Sequence, residues 1–404
     1  MTRVTIIGAG PGNEKHLTLE ARECIMESDL VIATGRLYDA LAHLNTNTVR
    51  KNLSDIPGAV GNAGNCRAVA VLVSGDSGFY SLGKTLPALL REKTGGPGLE
   101  ISFLCGISSM QYLCARLGVP YDDARAISLH GRTGDIVPFA CYAPKVFALT
   151  GGTMKAHGVI HRLAASGLGN VLVTVGADLG SPSERIVTGR ARELTGETFP
   201  DLACMLVRNE DSRDPHAGIA DSDFIRGRTP MTKEAVRALA LAALDIRPRD
   251  TVMDIGAGTG SVSVCMARKA FEGTVYAVER NCDALDLLAL NRSKFGAFNM
   301  TVAKAEAPDG LADLPAPDRV FIGGSGGKMR DIMRTLLARN GRARVVATAV
   351  TLESLHEAVT AFEEHGLDPD IICVNAAIAH KTGRYRMMKA ENPVHIISGG
   401  HDAC

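Results

Sequence analysis

The stretch Thr251-Val-Met-Asp-Ile-Gly-Ala-Gly-Thr-Gly-Ser261 decides the fold of the second half of the chain. A short β-branched and apolar run leads to Asp254, and Gly256, Gly258 and Gly260 follow it. Glycine lets the backbone turn tightly and approach a ligand where a Cβ would collide. The sequence therefore predicts a buried strand, a tight turn at which a nucleotide-like ligand binds, and a helix that starts after the turn.

An acidic residue completes this predicted pocket. Glu279 ends the next β-branched run, Gly273-Thr-Val-Tyr-Ala-Val-Glu-Arg280, roughly 20 residues after Gly256. A carboxylate at that strand end can accept hydrogen bonds from both hydroxyls of a ribose. Ser261 stands where a dinucleotide fingerprint has its third glycine, and the G-x-G-x-G spacing favours S-adenosylmethionine over NAD. Asp254, the glycines and Glu279 are the predicted donor-site residues.

Composition sets limits on the partners of the chain. Its 404 residues are enough for two or three domains, and Lys plus Arg equals Asp plus Glu at 44 each. The zero net charge gives no support for a nucleic-acid or membrane partner. The ten cysteines form no C-x-x-C pair, which indicates thiols in a reducing compartment. No signal-peptide pattern follows Met1, so we expect a cytoplasmic protein.

A metal site is not expected. His157 and His161 are four residues apart on a predicted helix, as metal ligands can be. No third ligand follows at a suitable distance, so a surface pair is favoured over a metal centre.

Short β-branched runs alternate with amphipathic helical stretches, which predicts an α/β protein with parallel sheets covered by helices. A polar segment rich in charge interrupts this alternation, and it predicts a domain at 1–210, a linker at 211–225 and a second domain at 226–404. The strands predicted in the first half are 4–7, 30–33, 68–74, 101–104, 146–150, 171–176 and 202–208. Those in the second half are 251–254, 274–278, 319–322, 343–347 and 371–374.

Three loops of small residues follow strands of the first half. They are Gly8-Ala-Gly-Pro-Gly12, Val73-Ser-Gly-Asp-Ser-Gly-Phe-Tyr-Ser-Leu-Gly83 and Cys105-Gly-Ile-Ser-Ser-Met-Gln111. Open α/β sheets bind their ligands at the carboxyl ends of strands. The three loops together therefore predict a second ligand site.

Individual residues of these loops have alternative interpretations. The first turn alone equally suits a plain strand-to-helix turn, because Pro11 lacks an N–H donor and Asn13 replaces the last glycine of a dinucleotide fingerprint. Asp76 either contacts a ligand or caps a turn. Phe79 and Tyr80 either stack on a ring system or pack in the core, which is the commoner fate of aromatic residues.

A family resemblance rests on longer segments. In the first half they are Gly8-Ala-Gly-Pro-Gly12, Gly75-Asp-Ser-Gly-Phe-Tyr80, Gly106-Ile-Ser-Ser109, Ser128-Leu-His-Gly-Arg132 and Val173-Thr-Val-Gly-Ala-Asp-Leu-Gly-Ser-Pro182. They resemble the tetrapyrrole methylase family, most closely its precorrin C(5)-methyltransferases. In the second half they are Arg226-Gly-Arg-Thr-Pro-Met-Thr-Lys233, Asp254-Ile-Gly-Ala-Gly-Thr-Gly-Ser261, Tyr276-Ala-Val-Glu-Arg280, Asp318-Arg-Val-Phe-Ile-Gly-Gly-Ser-Gly-Gly327 and Ala349-Val-Thr-Leu-Glu-Ser354. They are similar to the decarboxylating precorrin C(15)-methyltransferases, and the order of the halves resembles the fused C(5,15)-methyltransferases of cobalamin synthesis.

The resemblance implies an N-terminal two-lobed tetrapyrrole methylase fold and a C-terminal Rossmann-like class I methyltransferase fold. It implies two S-adenosylmethionine sites per chain, homo-oligomers, and a precorrin substrate that is methylated at carbons 5 and 15 and loses the carboxyl of its carbon-12 acetate. The donor contacts implied in the first half are Gly8, Gly10, Pro11, Gly75, Asp76, Phe79 and Ser108. Those implied in the second half are Thr232, Asp254, Gly256, Ala257, Gly258, Gly260, Ser261, Glu279, Glu306 and Ala307.

Substrate contacts should be basic or small. Arginine holds carboxylates through paired hydrogen bonds, and the acid-free segment 371–390 carries Arg384 and Arg386, while Arg228 lies in a second basic group. The same cations would also suit solvated surface or a sheet edge. Gly324 and Ser325 belong to a run of small residues that leaves room for a broad, flat substrate.

Carbon methylation by a sulfonium donor needs positioning more than acid or base, so no catalytic side chain is predicted. Glu306 either contacts the adenine or is a plain exposed acid.

Two other functions remain open. An RNA methyltransferase is disfavoured by the neutral charge and by the lack of basic runs with interleaved aromatics. A tetrapyrrole- or donor-binding protein without turnover is disfavoured by two donor motifs on one chain.

Overall fold

The computed structural model describes residues 2–64, 66–94, 99–131 and 134–400, so Arg132 of the segment 128–132 lies outside the described residues. The chain forms two compact units. Unit 1 comprises Met1–Gly134, Lys145–His161 and Leu172–Arg208. Unit 2 comprises Asp135–Pro144, Arg162–Val171 and Asn209–Cys404. In the described part of the chain, no helix is long and apolar enough to cross a membrane.

The first sheet of unit 1 is parallel and has the strand order β3-β2-β4-β1-β5. Apolar residues alternate between its faces, so that Val4 and Ile6 pack on one side of β1 and Ile7 packs on the other. The strands are β1 (Thr2–Gly8), β2 (Leu30–Ala33), β3 (Thr48–Arg50), β4 (Ala68–Val73) and β5 (Leu99–Leu104). The accompanying helices are α1 (Leu19–Glu27), α2 (Gly35–Leu41), α3 (Ile56–Gly61), α4 (Leu86–Thr94) and α5 (Ser109–Leu117).

The second sheet of unit 1 has the order β6-β7-β10-β8-β9. Only β6 and β7 pair in parallel, and the other pairs are antiparallel. The expectation of parallel sheets throughout is therefore wrong here, because β8 and β9 are joined by a short connection that cannot make a parallel crossover. The strands are β6 (Arg125–Ser128), β7 (Lys145–Thr150), β8 (Leu172–Ala177), β9 (Arg185–Arg190) and β10 (Ala203–Arg208). Helices α6 (Val137–Tyr142) and α7 (Ala156–Leu163) lie between them in sequence.

Unit 2 is built on a seven-stranded sheet of order β13-β12-β11-β14-β15-β19-β16. The sheet is parallel except for β19, which pairs antiparallel with both neighbours. The strands are β11 (Thr251–Ile255), β12 (Thr274–Glu279), β13 (Met300–Lys304), β14 (Arg319–Ile322), β15 (Arg344–Ala349), β16 (Asp370–Val374) and β19 (Val394–Gly399). The helices are α8 (Glu234–Leu244), α9 (Ser261–Lys269), α10 (Cys282–Lys294), α11 (Met329–Arg339) and α12 (Leu352–Glu364). A hairpin, β17 (Ala377–Thr382) and β18 (Tyr385–Ala390), stands apart from this sheet.

Buried side chains cover both faces of the unit 2 sheet. Val252 and Phe321 lie in one cluster, and Met253 and Ile255 lie in the other. In the described residues every predicted strand is present, with ends shifted by at most two residues, and the predicted α/β fold class is confirmed. Strands that the sequence did not predict include β9 and the β17–β18 hairpin, since none of their residues is buried and their apolar runs are short.

The predicted linker, 211–225, packs at its C-terminal end. Ile219 and Phe224 are buried in the unit 2 core, and the Phe224 ring lies 4.8 Å from that of Phe295. Asp221 pairs with the buried Arg237 at 2.9 Å. The domain limits at 210 and 226 stay a prediction.

Candidate functional site

Three loops meet at the carboxyl end of the first sheet of unit 1. Gly10 and Gly75 exchange backbone hydrogen bonds of 3.0 and 2.8 Å. Gly106, after β5, lies so close to its neighbours that a Cβ there would be 2.3 Å from the Gly8 oxygen and 2.5 Å from the Gly75 oxygen. The adjacent order of β4, β1 and β5 brings the loops together, as expected for a ligand-binding sheet edge.

Two polar side chains fix these loops. Asp76 accepts the Gly78 N–H at 2.9 Å and the Gly106 N–H at 3.1 Å, so its capping role is present. Ser108 caps α5 by accepting the Gln111 N–H at 3.1 Å, and the Gln111 side chain accepts the Ser108 N–H at 2.8 Å. The helix start is thereby held at the loop cluster.

A cleft of about 340 Å³ opens above the loops and is lined from both sheets of unit 1. The predicted donor contacts that line it are Gly10, Pro11, Gly75, Asp76, Phe79 and Ser108. Gly8 is not among the lining residues and instead packs against Gly106. The second sheet contributes Ser128, Leu149, Thr150, Gly176, Ala203 and Cys204, among others.

The aromatic residues of the second loop contact other residues of unit 1 and also line the cleft. Phe79 is half-buried, and its ring lies 6.0 Å from that of Phe147 in the core and 5.1 Å from that of Tyr80. The Tyr80 hydroxyl donates to the Ala126 carbonyl at 2.8 Å. Both rings also line the cleft, so packing and ligand contact do not exclude each other.

Sequence reasoning missed two charged or titratable side chains of this cleft, Arg36 and His130. Arg36 donates to the Pro11 carbonyl and, at 2.7 Å, to the Ser74 hydroxyl. Its position directly after β2 is the available signal, because that is the same strand-end edge. His130 lies against Gly151, where a Cβ would be 2.3 Å from its Nδ1. Only the family resemblance of its segment, 128–132, could have pointed to it.

The glycine turn of unit 2 has the predicted strand-turn-helix form. Gly256 has a φ of +71°, and a Cβ there would lie 3.0 Å from the backbone N and O of Gly324. The Gly256 and Ala257 N–H groups both donate to the Val278 carbonyl, at 3.0 and 3.1 Å. Helix α9 then begins at the buried Ser261. The turn therefore joins the carboxyl ends of β11, β12 and β14.

Glu279 organises this turn. One carboxylate oxygen accepts the Gly258 N–H at 2.9 Å, and the other accepts the N–H groups of Arg280 and Asn281, both at 2.8 Å. A carboxylate has about four lone-pair directions, so these bonds leave room for a hydroxyl donor. The predicted ribose contact stays a prediction, and the structure adds a second role in holding the backbone of the turn.

Asp254 is fully buried below the turn. One oxygen accepts the Ser263 hydroxyl, and the other has no hydrogen-bond partner among the described residues. The Thr259 hydroxyl on the same turn is also buried without a partner. Burial raises the pKa of Asp254 to about 7, and the negative charge of Glu279 adds to the rise. Asp254 and Thr259 thus keep unpaired polar atoms beneath the turn in the described part of the chain.

A second cleft, of about 250 Å³, lies above this turn. The predicted residues that line it are Gly256, Glu279, Glu306, Ala307, Gly324 and Ser325. The other predicted residues of this region do not line the cleft and instead form or support the turn: Asp254, Ala257, Gly258, Gly260 and Ser261. Glu306 is more than a plain exposed acid, because its Oε1 pairs with Arg280 at 3.0 Å and with Lys328 at 2.8 Å. The bond from Lys328 lowers the pKa of Glu306.

Two predicted contacts on the segment before α8 do not line this cleft in the described structure. The Thr232 carbonyl accepts a hydrogen bond from Arg237 at 2.9 Å. Arg228 is exposed, although its neighbours Thr229 and Pro230 lie within 4 Å of a Cβ built on Gly258. The donor role of Thr232 and the substrate role of Arg228 stay predictions.

Arg384 and Arg386 are also not among the lining residues. They belong to the exposed β17–β18 hairpin, and the Arg384 guanidinium lies 4.9 Å from the Tyr385 ring centre. Their substrate role stays a prediction, and the lining of the cleft does not support it.

Comparison with known proteins gives matches to both halves. A model of the tetrapyrrole (corrin/porphyrin) methylases matches residues 3–195, and a model of the precorrin methyltransferase domain matches residues 224–399. A precorrin-6Y C(5,15)-methyltransferase (decarboxylating) of Sinorhizobium sp. is 32% identical over 400 residues, which cover 97% of this chain and 94% of that protein.

Two further relatives each match slightly less than half of the chain. A probable cobalt-precorrin-6B C(15)-methyltransferase (decarboxylating) of Pyrobaculum calidifontis is 43% identical over 184 residues, 45% of this chain and 94% of that protein. A crystal structure of a precorrin-6Y C5,15-methyltransferase from Geobacter metallireducens is 40% identical, covers 46% of this chain and 96% of its own, and has a TM-score of 0.44.

The seven-stranded sheet with antiparallel β19, the glycine turn and the acid at the end of β12 define an S-adenosylmethionine-dependent methyltransferase. The Sinorhizobium relative matches 97% of the chain, so the class applies to both halves. The chain belongs to the family of decarboxylating precorrin-6Y C(5,15)-methyltransferases.

Proposed function

We propose that the chain transfers two methyl groups to one precorrin macrocycle, at carbon 5 in residues 1–210 and at carbon 15 in residues 226–404. The second half also removes the carboxyl of the carbon-12 acetate. The observation that carries this proposal is the match of one bifunctional relative to 97% of the chain, with a separate glycine-lined cleft in each unit. We infer one S-adenosylmethionine site in each cleft.

The donor supplies a methyl group that is already attached to a good leaving group. The protein must therefore hold the reacting carbon in line with that methyl, and such positioning is worth up to about 7–11 kcal/mol. The clefts suit this task because their floors are backbone loops fixed by Asp76 and Ser108 in unit 1 and by Glu279 in unit 2. Rigid floors keep the geometry of the bound pair constant.

Decarboxylation needs little more from the side chains. The bond between the carboxyl carbon and the acetate methylene breaks, its electron pair enters the conjugated macrocycle, and a proton replaces the carbon dioxide. An ion pair with the departing carboxylate would oppose this step, since it stabilises the charge that must leave. The small residues Gly324, Ser325 and Gly326 leave space for the macrocycle at the unit 2 cleft, and the Arg280 guanidinium that also lines it is already paired with Glu306 at 3.0 Å.

Product analysis tests the proposed function. Purified protein with S-adenosylmethionine and a precorrin-6Y-type substrate should give a product that has gained two methyl groups and lost one carbon dioxide, by mass spectrometry. Methylation of cellular RNA under the same conditions, with the macrocycle unchanged, would contradict the proposal.

Donor affinity in unit 2 should depend on pH through Asp254. Burial raises the pKa of this carboxyl to about 7, so it is mostly neutral at pH 6 and mostly ionised at pH 8. A cationic donor favours the ionised form, and its affinity should rise with pH by at most roughly tenfold across this interval. Calorimetry should show the rise in the wild type and not in Asp254→Asn, while the unit 1 site of the same chain serves as the internal control. An unchanged pH profile in the variant would contradict this role.

We also infer that the protein forms homo-oligomers. The β17–β18 hairpin exposes Ile378, Tyr385, Met387 and Met388, with 47% to 66% of each residue accessible. Exposed apolar side chains of this kind favour burial against another protein surface. Sedimentation equilibrium should give a multiple of 42.6 kDa, and Met387→Lys with Met388→Lys should lower it. A monomeric wild type would contradict the inference.

A further inference from the structure

Arg36 is a cation without an acidic partner at the unit 1 cleft. It follows β2 at the start of α2 and lines the cleft. Its two hydrogen-bond acceptors, the Pro11 carbonyl and the Ser74 hydroxyl, are neutral. In the described part of the chain, no aspartate or glutamate forms an ion pair with it.

The surroundings of Arg36 leave its charge only partly compensated. Burial lowers the pKa of its guanidinium, and the charge of Asp178 only partly offsets this effect. Removing a cation from water without an ion-pair partner is costly, so a half-buried guanidinium in an open cleft is well placed to bind an anion. A guanidinium has five N–H donors, and the bonds to Pro11 and Ser74 leave three for a ligand.

The methyl donor is the less suitable anion. It carries a sulfonium, an ammonium and one carboxylate, so its net charge is positive and Arg36 would repel it. The loops predicted to hold the donor follow β1, β4 and β5, whereas Arg36 follows β2, on the other side of β4 from β1. The precorrin macrocycle carries several acetate and propionate carboxylates, and arginine binds carboxylates through paired, charge-assisted hydrogen bonds.

We propose that Arg36 anchors a carboxylate side chain of the precorrin macrocycle during methylation at carbon 5. This inference rests on the proposed function. Because the same guanidinium holds the Pro11 carbonyl and the Ser74 hydroxyl, the anchored macrocycle takes a fixed position relative to two of the donor loops. Arg36 is thus a substrate-binding residue whose guanidinium is held in place by its bonds to Pro11 and Ser74.

The test compares Arg36→Gln and Arg36→Lys with Arg22→Gln, a matched control on α1 whose side chain is exposed and paired with Glu14 at 2.9 Å. Each full-length variant is assayed for the KM and kcat of carbon-5 methylation and for donor binding by calorimetry. The same KM is measured with a macrocycle whose carboxylates are methyl esters. Thermal unfolding shows whether each variant is folded.

Arg36→Gln should raise the macrocycle KM at least about tenfold, as expected for loss of a charge-assisted bond, and leave donor affinity within about twofold. Arg36→Lys should recover part of the loss, and the esterified substrate should show the same KM with Arg36→Gln and with the wild type. Arg22→Gln should match the wild type.

An unchanged KM in a folded, active Arg36→Gln would overturn the inference. So would an equal rise in KM for the esterified substrate, or a loss of donor affinity without a change in KM, since these results indicate a loop or donor role. No macrocycle turnover by the wild type would instead overturn the proposed function and, with it, this inference.

Discussion

Titration of the intact chain with S-adenosylmethionine should give two binding sites, and Glu279→Ala should weaken the one in unit 2. Glu279 accepts three backbone N–H groups at 2.8 to 2.9 Å and offers its remaining lone pair to a ribose hydroxyl. Each charge-assisted bond is worth about 1.5–3 kcal/mol, so the affinity of this site should fall roughly ten- to a hundredfold. Calorimetry measures both the number of sites and the loss.

The control for this experiment is Glu364→Ala, which removes an exposed, ion-paired acid on α12 of the same unit. It should leave both sites intact. A single site in the wild type, abolished by Glu279→Ala, would show that only unit 2 binds the donor.

Gly106→Ala should abolish donor binding and carbon-5 methylation in unit 1. Its Cβ would lie 2.3 Å from the Gly8 oxygen and 2.5 Å from the Gly75 oxygen, and both are backbone atoms of neighbouring loops. Backbone cannot rotate away as a side chain can, so the three loops must separate. We expect the affinity of this site to fall about a hundredfold or more, since a clash with two backbone atoms should cost about 3 kcal/mol, the upper end of the usual range for overpacking, and also distorts the cradle.

Gly158→Ala is the matched control in the same unit. Gly158 lies on α7 and is exposed, and no atom outside its own helix backbone would lie within 4 Å of an added methyl group. Alanine in a helix should stabilise the protein slightly, by about 0.5–1 kcal/mol. Wild-type donor affinity in Gly106→Ala would show that the loop cluster is not the donor site.

The strand and turn of unit 2 could be predicted because their determinants are local. The apolar run before Asp254, the alternating glycines and the acid at Glu279 lie within one strand-turn-helix-strand unit, and period and turn chemistry fix such a unit. The strand order and the antiparallel sheet of unit 1 depend instead on contacts between distant segments. Spacing along the chain carries no information on those contacts.

The substrate contacts show the same limit. The prediction of Arg384 and Arg386 rests on the basic character of their segment, but these residues lie on an exposed hairpin and are not among those that line the cleft. Arg36 is an isolated cation in the sequence. Its proposed role in binding is visible only in the fold, which brings Pro11 and Ser74 next to it. Composition reveals clusters of charge and misses an isolated residue in a cleft.

The central claim is that two separate sites act on one macrocycle. Mass spectrometry of products from the wild type, Gly106→Ala and Glu279→Ala, each given saturating precorrin and a donor concentration just above the wild-type Kd, tests it most directly. The wild type should add two methyl groups and release one carbon dioxide. Gly106→Ala should add one methyl group at carbon 15 and still release carbon dioxide, whereas Glu279→Ala should add one at carbon 5 and release none. Loss of both methylations in either variant would contradict two independent sites.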